Sequence, residues 1–163
     1  MMIPIIYLLI SIILDGILTN FLPYLVNDLS YLTPLFTIVT IFLIYPFYQK
    51  KLKYYFITLF ITGIIYDLFY TNLLFFNGVL FIIIGLISYF IHKNFETSYF
   101  KLLIYLLVII ISYELLTAII LFIYNVVPIT IDKVVYKIIH SIIINLIYGE
   151  ILFIILKATK RYK

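Results

Sequence analysis

Four acidic residues lie inside long apolar stretches of this 163-residue chain: Asp15, Asp67, Glu114 and Glu150. A carboxyl group in apolar surroundings can hold a proton, pair with a cation or accept hydrogen bonds. No Lys or Arg lies deep within the same stretches. The sequence therefore predicts protonated carboxyls, hydrogen bonds from neighbouring hydroxyls and amides, or a cation that a partner protein supplies.

The residues needed for most catalytic and metal sites are scarce. The chain has no cysteine, which excludes disulfides and thiolate chemistry, and its two histidines, His92 and His140, lie far apart. Its sequence contains no Gly-rich phosphate loop, no Ser–His–Asp set and no cluster with metal-ligand spacing. A net charge of +4, scattered along the chain, is too small for a nucleic-acid surface. We therefore predict a non-enzymatic protein without metal or cofactor.

The composition indicates where such a protein lies. Hydrophobic residues make up 66% of the chain and charged residues 11%, and the mean hydropathy is +1.26. Soluble domains are about half apolar and about one quarter charged. A soluble fold of this length could not cover so many apolar side chains. The sequence predicts an integral membrane protein, with the lipid bilayer as its surroundings.

Six apolar runs have the length of transmembrane helices. About 20 helical residues cross the hydrocarbon core, and these runs lack the alternation of barrel strands. The predicted spans are residues 3–21, 32–48, 54–70, 73–91, 102–124 and 134–156. Thr33–Pro34 predicts the N-cap and first residue of the second helix, and Thr71–Asn72 predicts a tight turn after the third. We expect an all-α fold, with residues 1–163 forming one membrane domain of six helices.

The Lys and Arg residues are unequally divided between the two sides that six spans create. Nine of the eleven lie after the second, fourth and sixth spans, whereas Lys133 and Lys137 lie on the other side. Basic residues concentrate in cytoplasmic loops. The count therefore predicts a multi-pass protein of a cell membrane with both termini in the cytoplasm.

This orientation sets the depth of the acidic residues. Asp15, Asp67 and Glu114 each follow a cytoplasmic helix start by about twelve residues, or roughly 18 Å, and so fall in the outer half of the membrane. Glu150 falls nearer the cytoplasmic side. A charge at the centre of a bilayer costs about 2.5–3.5 kcal/mol, so all four are candidates for helix packing or partner contact. Small and amide residues on neighbouring helical faces or at the turn complete this candidate set: Gly63, Asn72, Gly78 and Asn145.

One segment carries a family resemblance. The residues from Gly63 to Gly78, Gly-Ile-Ile-Tyr-Asp-Leu-Phe-Tyr-Thr-Asn-Leu-Leu-Phe-Phe-Asn-Gly, resemble the signature of the rod shape-determining protein MreD family. The shared features are a Gly and an Asp four residues apart, a short turn, and a fourth span with Leu and Gly. The carboxylate at Tyr113–Glu114, the length and the six spans are also similar to the family. The chain departs from it at Phe75–Phe76, where many members carry Leu-Gly.

The resemblance implies a non-enzymatic membrane component of the bacterial cell-elongation machinery. Proteins of this family act with the bitopic protein MreC. Through MreC they act with the transpeptidase and glycosyltransferase that build the lateral cell wall. The actin-like MreB filament lies on the cytoplasmic side.

The sequence is also consistent with a second class of membrane protein. Six short spans also describe the substrate-binding subunits of energy-coupling-factor vitamin transporters. Such a subunit needs a ligand pocket near the outer face, and the three outer-half carboxylates could line one. However, the chain has no Trp, and its outer connections contain no Arg to hold a vitamin. Alanine is nearly absent, so a small-residue motif for docking the energising subunits is not evident.

The orientation is testable by thiol labelling, because the chain has no native cysteine. Single cysteines at Asn27, Asn72 and Val127 should react with an impermeant reagent added outside intact cells. Cysteines at Lys51 and Asn94 should react only after the membrane is opened. Labelling of Lys51→Cys from outside would overturn either the span count or the direction.

Overall fold

The structure, a computed structural model, describes residues 2–25, 33–71, 73–93, 98–124 and 130–158. All regular structure within these ranges is helical, so the all-α prediction is confirmed for them. The α-helices are α1 Met2–Leu25, α2 Phe36–Ile44, α3 Leu52–Tyr70, α4 Phe76–Lys93, α5 Tyr99–Ile123 and α6 Ile131–Ala158. Five of them, all except α2, are long and apolar enough to cross a membrane.

The second helix is shorter than the sequence predicted. A span over residues 32–48 was expected, but α2 begins at Phe36 and covers nine residues before a four-residue 3₁₀ helix, Tyr45–Tyr48. Together these make a rod of about 20 Å, whereas the hydrocarbon core of a bilayer is about 30 Å thick. The helical part of this region is therefore shorter than the predicted span, and Leu32 lies outside the described residues.

The apolar character of α2 has a different cause from the one expected. All nine of its residues are buried, and it packs against α1, α4, α5 and α6. A helix that is apolar on every side belongs in the interior of a bundle as readily as in lipid. In this chain the apolar residues of α2 form the centre of the core, and the longer helices surround them.

The helices α3 and α4 form a tight hairpin. Gly78 packs beneath the ring of Phe60, and Gly85 packs beneath Leu59 and Tyr55. We call the end of the bundle where α3 joins α4, at residues 71–76, the hairpin end. We call the opposite end, where Tyr45, Tyr48 and Tyr55 pack together, the tyrosine end. There the Tyr55 hydroxyl donates to the Ile41 carbonyl at 3.0 Å, which fixes the last turn of α2 against α3.

The connection between α3 and α4 contains one residue in a left-handed conformation. Phe75 has a φ of 68°, and its ring stacks on that of Phe60 at a centroid distance of 6.3 Å. A side chain in this conformation costs about 1–2 kcal/mol, a cost that glycine avoids. The departure from Leu-Gly at Phe75–Phe76 thus coincides with a strained turn, and the hairpin forms despite it.

We expect Phe75→Gly to be more stable than Phe75→Ala by about 0.5–1 kcal/mol. Both variants lose the stacked ring, but only glycine relieves the backbone strain. The measurement is unfolding of the detergent-solubilised protein followed by circular dichroism. Leu74 is exposed and has no positive φ, so at this control position the glycine variant should be no more stable than the alanine variant. The same ranking at both positions would contradict the assignment of strain to Phe75.

Candidate functional site

The start of α2 is held by a carboxylate from another helix. Leu35 is the N-cap residue, and no side chain of its own segment caps the helix. Instead, the Phe36 amide donates to Asp15 Oδ1 at 2.7 Å and the Thr37 amide donates to Asp15 Oδ2 at 3.0 Å. Asp15 is only 2% exposed. It satisfies two of the amides that every helix start leaves free, and its carboxyl group lies at the positive end of the helix dipole.

An amide side chain from α6 completes this cap. Asn145 Oδ1 accepts from the Leu35 amide at 2.6 Å, and Asn145 Nδ2 donates to the carbonyls of Thr33 and Ser141 at 2.9 and 2.7 Å. The sequence predicted Thr33–Pro34 as the N-cap and first helical residue, and this was wrong. The helix starts later, because side chains from α1 and α6 supply the hydrogen bonds that a local cap would provide.

The start of α4 is held in the same way. Asn77 donates its backbone amide to Asp67 Oδ2 at 2.9 Å and its side-chain amide to Asp67 Oδ1 at 2.8 Å. The Thr71 hydroxyl donates to the same Oδ1 at 2.8 Å. The Tyr113 hydroxyl then donates to Asn77 Oδ1 at 2.9 Å. This chain of hydrogen bonds, which we call the Asp67 clasp, joins α3, α4 and α5.

The glycines of the candidate set bring the two backbones of the hairpin together. A Cβ atom added at Gly63 would lie 2.5 Å from the Gly78 nitrogen and 2.5 Å from the Asn77 carbonyl oxygen, closer than real Cβ atoms come. Gly63 lies one turn before Asp67, so this close approach helps to bring the carboxylate to the start of α4. Asn72, the remaining turn residue of the candidate set, lies outside the described residues.

Glu114 has a counter-charge that the sequence did not predict. Its Oε2 lies 3.0 Å from the ammonium nitrogen of Lys137, and the carboxylate is buried whereas the lysine side chain is 44% exposed. The expectation that no lysine within a span neutralises these carboxylates is therefore wrong for Glu114. Lys137 lies in the second turn of α6, on the side that reaches α5. The other oxygen, Oε1, is buried without a hydrogen-bond partner in the described structure.

Glu150 is set apart from the other three acidic residues. It lies on the exposed side of α6, directly after the buried Gly149. Within the described part of the chain it takes part in no ion pair or hydrogen bond. The structure therefore brings together Asp15 with Asn145, Asp67 with Gly63 and Gly78, and Glu114 with Lys137, and leaves Glu150 by itself.

A partly open cavity of about 740 Å³, lined by apolar and polar side chains, lies between the start of α2 and the hairpin end. It exists because α2 begins partway along the bundle, which leaves space between the longer helices beyond its first residue. Its polar lining comes from five of the six helices: Asp15, Tyr66, Tyr70, Asn77, Tyr113 and Lys137. These side chains supply hydroxyl, amide, carboxylate and ammonium groups that could form hydrogen bonds with a ligand.

Three contributors to these contacts escaped the sequence reasoning: Asn77, Tyr113 and Lys137. Asn77 was visible as a polar residue near the start of the fourth predicted span, the position where a helix presents free amides. Lys137 was visible as a basic residue inside the sixth predicted span. Tyr113 was noted only as the neighbour of Glu114, because nothing else distinguishes it among 17 tyrosines.

The described residues are an all-helical bundle with five helices long and apolar enough to cross a membrane. They contain no group of three His, Asp or Glu side chains that could hold a metal ion. Comparisons with models of protein families, with curated proteins and with solved structures found no match to this chain.

We expect Asp67→Leu to destabilise the protein by about 1–3 kcal/mol, since it leaves the buried Asn77 amide without an acceptor. Asp67→Asn should cost less, because one oxygen can still accept from Thr71 and from the Asn77 side chain. Unfolding in a detergent titration measures both. Leu68→Ala, at an adjacent residue that is 67% exposed, is the control and should leave stability nearly unchanged. Equal stability of all three variants would contradict the structural role of the Asp67 clasp.

Proposed function

We propose that this chain is a non-enzymatic multi-pass protein of a bacterial cell membrane and a component of the cell-elongation machinery. In this role it binds the bitopic protein MreC and helps to position or regulate lateral cell-wall synthesis. Its contact with the elongation transpeptidase and glycosyltransferase, and with MreB, is indirect. The observation that carries the proposal is the hairpin between Gly63 and Gly78, whose sequence resembles the MreD signature.

The structure of that hairpin supports a role in helix packing for the residues that resemble the MreD signature. The glycine and aspartate of the motif both act at one contact, where Gly63 admits the backbone of α4 and Asp67 holds its first amides. A motif of this kind fixes the relative position of two helices. Such a fixed hairpin suits a protein that works by presenting helical surfaces to partners.

The hydrogen bonds and ion pair of the acidic residues favour a role in helix packing over a role in catalysis. The Asp15 carboxylate receives two backbone amides, and the Asp67 carboxylate receives donors from Thr71 and Asn77. Carboxylates held in this way are committed to hydrogen bonds within the bundle. Glu114 is likewise engaged by Lys137. These contacts give the three residues roles in assembling the bundle.

We further propose that both termini are cytoplasmic. Basic residues of the described chain gather near the tyrosine end: Lys51 precedes α3, Lys93 ends α4, and Lys157 lies over the ring of Tyr99 near the start of α5. Lys137 lies beside the cavity, toward the hairpin end. This division follows the positive-inside rule with the tyrosine end facing the cytoplasm.

The cavity favours a second candidate function, that of a substrate-binding subunit of an energy-coupling-factor vitamin transporter. Ligand sites are commonly cavities of about 300–1,000 Å³ with a few convergent polar groups. The cavity of about 740 Å³ falls in that range, and under the proposed orientation it lies in the outer half of the membrane. Its aromatic and polar lining would suit a small organic molecule.

One experiment separates the two candidates. We expect the tagged full chain, purified from its native membrane in mild detergent, to carry MreC and a cell-wall synthase with it. Deletion of its gene should make rod-shaped cells round, because wall synthesis loses its placement. An unrelated multi-pass protein, tagged and expressed at the same level, is the control. Recovery of ATPase subunits with a bound vitamin, together with normal cell shape after deletion, would contradict the proposal and favour the transporter.

A further inference from the structure

Several side chains that line the cavity can still donate hydrogen bonds. The ammonium group of Lys137 has three N–H groups, and the structure pairs it with one oxygen, Glu114 Oε2 at 3.0 Å. The Tyr66 hydroxyl makes no hydrogen bond with any of the described residues. The Thr117 hydroxyl, in the same lining, also has no hydrogen-bond partner there. Three side chains with spare donors therefore line one space.

The buried side-chain acceptors of the same lining are already in use. Asp15 is buried, and each of its oxygens accepts from an amide at the start of α2. Asn77 Oδ1 accepts from the Tyr113 hydroxyl at 2.9 Å. A ligand that satisfies the spare donors must therefore bring acceptors, and a carboxylate or a phosphate group carries several.

The charge presented to the cavity favours the same kind of ligand. The Lys137 side chain is 44% exposed, whereas the Glu114 carboxylate is buried behind it and is not part of the lining. Asp15 is buried as well, at the positive end of the α2 dipole. The accessible charge is therefore an ammonium group, which forms its strongest hydrogen bonds with anionic oxygens.

The polar and apolar parts of the lining lie at different depths. Glu114, which marks the level of the Lys137 ammonium group, precedes Leu121 on α5 by about seven residues, or roughly 10 Å. Leu121 lines the cavity together with Leu73 and Phe76 of the hairpin end. The same three residues also line an adjoining apolar groove of about 490 Å³ between α4 and α5. The ammonium group thus lies at the inner end of the cavity, and apolar side chains lie nearer the hairpin end.

We propose that the cavity binds a small organic anion, with a carboxylate or phosphate group at Lys137 and Tyr66 and an apolar body toward the hairpin end. A membrane lipid has the opposite arrangement, because its charged group lies at the membrane surface and its chains lie deeper. The ligand therefore enters from the aqueous side next to the hairpin end. This inference goes beyond the proposed function, since it requires neither MreC nor any other protein.

Three probes that share one apolar body test the chemistry of the ligand: naphthoate, naphthamide and naphthylmethylammonium. Isothermal titration calorimetry measures their binding to the purified full chain in mild detergent, with empty micelles as the blank for partitioning. We expect saturable binding of naphthoate, about 10-fold or more tighter than that of the amide, because only the carboxylate forms an ion pair with Lys137. Tightest binding of the ammonium probe, equal binding of all three, or no saturable binding of naphthoate would overturn the proposal.

Substitutions test the position of the anion. Lys137→Met alone would leave the buried Glu114 carboxylate unpaired, so it is combined with Glu114→Gln, which removes both charges together. Naphthoate affinity should fall by about 10- to 150-fold in this double variant and by about 10-fold in Tyr66→Phe, while far-ultraviolet circular dichroism stays unchanged. Lys133→Met is the control, because Lys133 is exposed one turn earlier on α6 and does not line the cavity. Unaltered affinity of the double variant would overturn Lys137 as the partner of the anion.

Two lipids distinguish a soluble anion from a lipid headgroup as the source of the anionic group. Phosphatidylglycerol and phosphatidylcholine are added in turn to the micelles at the same low mole fraction, and we expect neither to displace naphthoate. Displacement by phosphatidylglycerol alone would overturn entry from the aqueous side. Because MreC is absent from every measurement, failure to bind naphthoate leaves the proposed function intact. Failure to recover MreC from native membranes likewise leaves this inference intact.

Discussion

Two helices of this protein, α2 and α4, have buried first turns, and the free amides of those turns must be satisfied within the protein. The first amides of any helix have no carbonyl partner within it, and away from water each unmet amide costs free energy. In α2 the amides of Phe36 and Thr37 bond to Asp15, and in α4 the amide of Asn77 bonds to Asp67. Both carboxylates come from a different helix than the one they cap. The cap is therefore also the tertiary contact, and the positions of α1 and α3 relative to α2 and α4 follow from it.

The need to satisfy these amides explains why α2 can be a short helix that begins partway along the bundle. A helix that starts partway along a bundle would normally expose its amides to apolar side chains, which is unfavourable. With Asp15 and Asn145 converging on its first turn, α2 can be short, fully buried and apolar on every side. The space beyond its first residue then becomes the cavity. The capping side chains, the short central helix and the cavity are thus consequences of one arrangement.

Features that depend on residues close together in the sequence were predicted well, and features that depend on distant residues were not. Helices that depend on long apolar runs were predicted within a few residues, as α3 was at 54–70 against Leu52–Tyr70. The turn after α3 was also predicted, because Thr71–Asn72 interrupts a run too long for one helix. The start of α2 was misplaced because Asp15 and Asn145, far away in sequence, decide it. The Glu114–Lys137 pair was missed for the same reason, since helix register alone brings α5 and α6 together there. Local patterns thus determine where helices exist, and contacts between distant residues determine where they begin and what their polar groups bind.

Only 11% of the residues are charged. Each carboxyl group within the bundle therefore contributes strongly to how the helices pack against one another. Three of them are occupied in assembling the helices, and they lie toward the cavity and the hairpin end. Glu150 lies on the other half of α6 and is exposed, so the same helix carries an inward contact at Asn145 and, about one turn later, a carboxyl group that bonds to none of the described residues. The inward contacts hold α6 in a fixed rotation about its axis. Because that rotation is fixed, the direction in which Glu150 points is fixed as well. The hydrogen bonds that stabilise the bundle therefore also determine which side chains of α6 face outward.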